Sequence, residues 1–301
     1  MAAVILLDRF AHRLVLNPAR LPPGGAAPQR KGWPAAAREV THASTVDAYR
    51  EWVDVEALIG QLDARLRAAA NPERAAGEKR YLKSELDFLG ATLWQIRAAV
   101  KEASGEDRDL DRDDLVRLVE SLWSEPVFER RMASVILLDR FADRLSVADL
   151  PLIERLVRES LTWALVDGLA GDVLGRFVSA DPNGVTPVLD RWATDDDFWI
   201  RRASLLAELR PIRQGATLDR FQHRADPMLD EREFFIRKAI GWVLREASKK
   251  RPGDVAVWVA PRTHRASGVT MREAVKYLAP SAAQRLMVAY REKRPAADVV
   301  S

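Results

Sequence analysis

The sequence predicts an all-α protein, an α-solenoid of HEAT-like antiparallel helix pairs, on three observations. Apolar residues recur at helical spacing in one segment after another, and no segment sustains period-two alternation between hairpin turns. The connections are short and carry turn and cap residues. Consecutive helices joined by tight loops pair antiparallel, and several such pairs in series stack into a solenoid. The repeat lengths are irregular, so no fixed period is legible.

Taken in order, helices are predicted over about 46–70, 77–89, 93–103, 114–122, 127–144, 150–159 and 162–178. Further helices follow over about 185–192, 198–209, 218–225, 233–250, 254–259, 270–278 and 282–290. Ser124-Glu125-Pro126, Ala180-Asp181-Pro182-Asn183-Gly184 and Thr194-Asp195-Asp196-Asp197 mark turns between them. The acidic run from Asp107 to Asp114 invites an EF-hand reading. Its sixth position is Arg112 instead of Gly and its twelfth is Leu118 instead of Glu, so the loop fails as a calcium site. Carboxylates facing the positive end of a helix dipole explain the run better.

Two regions are expected: an N-terminal extension over 1–45 and a helical solenoid over 46–295. Residues 15 to about 43 are rich in Pro, Gly, Ala and Arg without amphipathic period, the composition of a linker or disordered extension. Before them, Met1 to Leu14 repeats Met132 to Leu145 at 12 of 14 positions. Solenoid repeats diverge further than this, so a recent partial duplication or a misplaced gene start explains it better than architecture does.

The chain has 301 residues, 48% of them hydrophobic, enough for a sizeable core. It contains no Cys, which excludes disulfides, thiol nucleophiles and Cys-based zinc sites. His12, His42, His223 and His264 show no ligand spacing, so no metal is expected. No transmembrane span or secretory signal is recognised, and a cytoplasmic protein is expected. Formal charge is only +3, yet Glu233 to Arg294 holds 14 Lys/Arg against 5 Asp/Glu. That imbalance predicts an anionic partner for the C-terminal part, with DNA, RNA, a membrane surface or simple solvation as the open choices.

Three elements carry candidate chemistry. In the helix from Phe234 to Lys249, Ile236, Ala239, Ile240, Val243 and Ala247 form the packing stripe, while Lys238, Trp242, Arg245 and Lys249 line the opposite face. That second stripe is expected to meet solvent, as a nucleic-acid surface or as an ordinary amphipathic face. In the helix near Thr162, Leu165, Leu169 and Val173 pack, leaving Trp163 and Asp167 one turn apart on an expected open face. The third element is Phe198 to Leu206, opened by three aspartates. Arg202 is expected to emerge from it, either as a phosphate clamp or as the partner of a neighbouring aspartate.

In this order the elements resemble the HEAT-repeat DNA glycosylases of the AlkD-like type, the DNA alkylation repair family. The similarity runs from Arg80-Tyr81-Leu82-Lys83 and Phe88-Leu89-Gly90 through Leu122-Trp123, Trp163-Ala164-Leu165-Val166-Asp167 and Trp199-Ile200-Arg201-Arg202. It continues over Glu233 to Glu246 and ends in Arg272-Glu273-Ala274-Val275-Lys276-Tyr277. The resemblance implies Asp167 as catalytic carboxylate, Trp163 and Trp242 as the aromatic pair beside the lesion, and Arg202 as the phosphate-gripping arginine. It also implies that Tyr81 and Arg245 touch DNA, while Lys238 and Lys249 are read as backbone contacts from their charge. The implied activity is excision of positively charged N3- or N7-alkylated purines from double-stranded DNA on a concave surface, by a monomer without cofactor and without base flipping. Thr162 and Ala164 stand where many relatives carry an aromatic and an acidic residue, which puts the lesion pocket in doubt. The rival readings are a non-catalytic module for damaged or branched DNA and a protein-binding scaffold.

Overall fold

The computed structural model describes residues 54–105 and 110–296. The extension, the first copy of the duplicated segment, the start of the helix expected from 46 and residues 106–109, with the first part of the acidic run, lie outside them. The chain divides into Met1–Glu51 and Trp52–Ser301, and every described residue belongs to the second unit.

The fold is an all-α solenoid. It begins with α1 (Val55–Ala68), α2 (Pro72–Leu82), α3 (Leu93–Ser104), α4 (Arg112–Ser124), α5 (Phe128–Arg140) and α6 (Leu150–Arg158). Next come α7 (Trp163–Asp167), a π-helical stretch over Gly168–Leu174, and α8 (Gly175–Ala180), which together form one continuous helical run. It continues with α9 (Pro182–Trp192), α10 (Phe198–Leu206), α11 (Leu209–Gln214), α12 (Asp219–Ala225), α13 (Phe234–Ser248), α14 (Pro252–Val259), α15 (Gly268–Ala274) and α16 (Pro280–Arg291). Among the described residues the only extended pairing is an isolated bridge between Asp87 and Val127.

Local chemistry sets these boundaries. Thr92 and Gln95 close a capping box on α3, and Asn71 caps α2 ahead of a proline in its first turn. Asp111 caps α4 by accepting from the Asp114 amide, so the acidic run is indeed a helix start. Three spans differ from expectation. The segment expected helical over 77–89 forms α2 earlier and leaves by the left-handed Lys83, because Gly90 (φ +84) packs against the Asn71 carbonyl where a side chain would not fit. The helix expected over 198–209 breaks after Leu206 and resumes as α11. The run over 162–178 holds the π turn, which no residue pattern announces.

Alternate helices stack in a row: α3 on α5, α5 on the π stretch, the α7–α8 run on α10 and α11, these on α13, and α13 on α15. A series of polar ties joins elements one repeat apart, and their separations are similar. Arg176 to Asp139 and Arg112 to Asp149 span 37 residues, Arg202 to Asp167 and Lys238 to Glu273 span 35, and Arg213 to Glu246 spans 33. Arg191 to Glu154, Arg224 to Asp190 and Arg262 to Asp226 span 37, 34 and 36. The repeat that hydrophobic spacing concealed is therefore written in the ion pairs.

Candidate nucleic-acid and catalytic site

Asp167 ends the regular α7 turn, where the π stretch begins. Its carboxylate accepts Nε and Nη2 of Arg202 at 2.8 and 2.9 Å, a bidentate pair, and the third guanidinium nitrogen, Nη1, donates to the Phe235 carbonyl at 2.6 Å. The guanidinium also lies 5.7 Å from the Phe235 ring, which stacks in turn with Phe198 and meets Trp199 at a tilt. Arg202 thus binds the Asp167 helix to the first turn of α13, the helix that carries Trp242.

The expected open face is not open. Asp167 is 8% exposed and Arg202 3%, because the neighbouring repeat covers the side of α7 that points away from Leu165. Arg202 is paired, with Asp167 one repeat back and not with the aspartates that cap its own helix. Those aspartates hold Arg201 and Arg158: Arg201 donates to the Asp195 carbonyl, and Arg158 pairs with the Asp195 carboxylate. Burial pushes the Asp167 carboxyl above its ordinary value, and the Arg202 charge opposes that rise.

Trp163, one helical turn before Asp167, is buried and meets the Tyr81 ring edge-on at 6.0 Å between centroids. Around this indole two hydroxyls are sheltered from solvent without a hydrogen-bond partner, those of Tyr81 and Thr162. Burial raises the Tyr81 phenol above its ordinary value. Buried polar groups left unsatisfied in a native fold are places where a ligand or water completes the bonding.

The stripe expected to face solvent on α13 is corrected as well. Lys238, Trp242 and Arg245 are only 2–8% exposed, because α15 packs over them. Gly241 makes that approach possible, since a side chain there would collide with Thr270 and Glu273. Glu273 accepts Lys238 Nζ at 2.5 Å and Arg245 Nη1 at 2.8 Å, turning two presumed phosphate contacts into the polar seam between helices. Lys249 alone of the four stays exposed. It pairs with Glu246 at 2.7 Å and lies 5.3 Å from the Tyr277 ring.

Asp172, on the π stretch, was missed in the sequence because its helical register looked unremarkable. Burial and the nearby Asp139 charge push its carboxyl up to about 6, against the pull of Arg97, Arg213 and Arg210. No three His, Asp or Glu side chains among the described residues are grouped to hold a metal. No described helix is long and apolar enough to cross a membrane.

No match was found among the curated proteins. A solved structure described as a predicted DNA alkylation repair enzyme from Enterococcus faecalis is similar at 25% identity and a TM-score of 0.63, covering 70% of this chain and 97% of that one. Residues 62–278 match the family model described as DNA alkylation repair enzyme, a span holding Tyr81, Trp163, Asp167, Arg202 and Trp242. With more than two thirds of its length so matched, the chain belongs to the DNA alkylation repair enzyme family.

Proposed function

We propose that the chain is a DNA N-glycosylase that releases positively charged N3- or N7-alkylpurines from duplex DNA, with Asp167 as the charge-stabilising group. The observation that carries this reading is a carboxylate held in place by Arg202, one helical turn from the buried Trp163. An alkylated purine bears a fixed positive charge, so it leaves as a neutral base and needs little protonation. Positive charge then develops on the deoxyribose, and a preorganised carboxylate opposes it. At about 4 Å and an effective dielectric of about 20 the attraction is roughly 4 kcal/mol, or about three decades in rate.

The Arg202 pair defines how that charge becomes available. Three of its five N–H groups are engaged, two on Asp167 and one on the Phe235 carbonyl, which leaves two for a backbone phosphate. A phosphate drawing on Arg202 weakens its hold on Asp167 at the moment the sugar arrives. Each carboxylate oxygen keeps a lone pair beyond its arginine bond, and one of these orients the attacking water. Trp163 borders the approaching sugar and the Tyr81 hydroxyl finds its partner on the DNA, whereas Trp242, under α15, supports the fold behind them. In this reading the protein acts as a cytoplasmic monomer, needs no cofactor and leaves the base in the stack.

The buried pair also favours a second reading, in which Asp167 only neutralises Arg202 and the chain binds damaged or branched DNA without chemistry. Base release from duplex containing 7-methylguanine separates the two. Asp167→Asn is expected to slow release by about two to three decades while duplex binding persists. Equal rates for the two proteins would remove Asp167 from catalysis.

A further inference from the structure

Asp172 lies on the same helical run as Asp167 but outside the pair just described, and the charges of three arginines from two other helices act on it. Arg97 comes from α3 and Arg210 and Arg213 from α11, while Arg176 follows four residues after Asp172 at the start of α8. The run and α11 approach so closely that a side chain at Gly175 would meet the Arg210 stem at 2.8 Å. Arg176 is held by Asp139 at 2.6 Å and Arg213 by Glu246 at 3.1 Å. Arg97 and Arg210 form no hydrogen bond or ion pair among the described residues, and both are half-exposed. Asp172 itself makes no hydrogen bond or ion pair there either, although it is half-buried.

Arginines outnumber the carboxylates Asp139, Asp172 and Glu246 here, and Glu246 is shared with Lys249 besides Arg213. Protonating Asp172 adds one further unit of positive charge to the cluster. Two guanidiniums without partners are suited to an oxyanion, since each offers a planar fork of N–H donors. We infer that Arg97, Arg210 and their paired neighbours Arg176 and Arg213 form a second backbone-phosphate site for duplex DNA, and that Asp172 operates it by taking up one proton as the phosphate enters. The inference rests on the DNA reading above, though not on the reaction assigned to Asp167.

A neutral Asp172 leaves the arginines to the phosphate, whereas the ionised form competes for them and repels the ligand. Because its carboxyl is pushed up to about 6, the change falls within an accessible range. The test is the affinity of the intact protein for undamaged duplex at fixed ionic strength, from about pH 5.5 to about pH 8. Wild type is expected to weaken about five- to tenfold over that range, as one linked proton dictates. Asp172→Asn should bind at the upper pH about as tightly as wild type does at the lower, with a flattened profile. Every other group is common to both proteins, so the difference between their profiles isolates Asp172. Arg210→Gln should weaken binding at every pH and lower the salt slope by about one. The inference is overturned if Asp172→Asn follows the wild-type profile, or if wild type fails to bind duplex. Asp167-dependent base release with an unchanged Asp172→Asn profile would sink this site and leave the proposed reaction standing. A flattened profile without any base release would do the reverse.

Discussion

Replacing Arg202 by methionine removes the counter-charge of Asp167 while keeping an unbranched stem of similar length. Wild type holds the pair by two bonds of 2.8 and 2.9 Å with side chains only 3% and 6% exposed. At such separations and an effective dielectric of about 20 the attraction is about 4 kcal/mol, and stripping one partner from a buried pair costs about 3–5 kcal/mol. The Phe235 carbonyl also loses its 2.6 Å donor. For a unit of this size the loss corresponds to a fall of roughly 6–20 °C in Tm near neutral pH. The pH dependence carries its own sign. Without Arg202 the buried carboxyl of Asp167 rises further, so the folded state binds its proton more tightly than the unfolded chain. A raised carboxyl favours folding below its unfolded value of about 4 and ceases to do so as pH climbs through the folded value. The penalty should therefore shrink on acidification. Thermal unfolding of wild type, Arg202→Met, Asp167→Asn and the double variant at pH 5 and 8 measures it. A penalty below about 1 kcal/mol, or one unchanged between the two pH values, would refute the claim that this pair is tightly coupled and shielded.

Three further outcomes are expected. Asp172→Asn should stabilise the protein at pH 8 by about 1–2 kcal/mol, because a carboxyl raised from 3.8 to about 6 opposes folding once pH exceeds the folded value. The full shift, about 3 kcal/mol, is reduced by partial solvent access, and the gain should vanish near pH 4 in the same unfolding assay. Glu273→Ala should cost about 3–5 kcal/mol by urea unfolding, since it strands Lys238 and Arg245 in the seam between α13 and α15, and Glu273→Gln should cost less. Glu129, fully buried, accepts the amides of Leu89, Gly90 and Ala91 at 2.9, 2.6 and 3.2 Å. Glu129→Gln should cost about 2–4 kcal/mol and speed hydrogen exchange at those three amides ahead of the rest of the fold.

Helix positions were legible because the packing stripes are strong: Ile96, Val100 and Ala103 in α3, or Ile236, Ala239, Ile240 and Val243 in α13, sit buried as their spacing requires. What the sequence hid was the second face. A helix in a stacked row touches a neighbour on both sides, so Lys238, Trp242 and Arg245 look solvent-directed by periodicity and are covered by the next repeat. Their cover depends on Glu273, 35 residues from Lys238, and no local pattern links the two. The same distance hides the partner of Arg202: three aspartates precede its helix, yet the one it binds is Asp167. The π turn after Asp167 has no sequence signature, and with it the rotation that gathers arginines around Asp172 was invisible.

The ion pairs that bridge neighbouring repeats have a consequence for how the chain can change. Because donor and acceptor sit one repeat apart, removing or adding an entire repeat re-forms a complete set of pairs at the new junction, whereas a deletion of one helical turn misaligns every charge downstream of it on that helix. Length should therefore vary among relatives in whole steps of about three dozen residues, with odd-sized insertions confined to the loops.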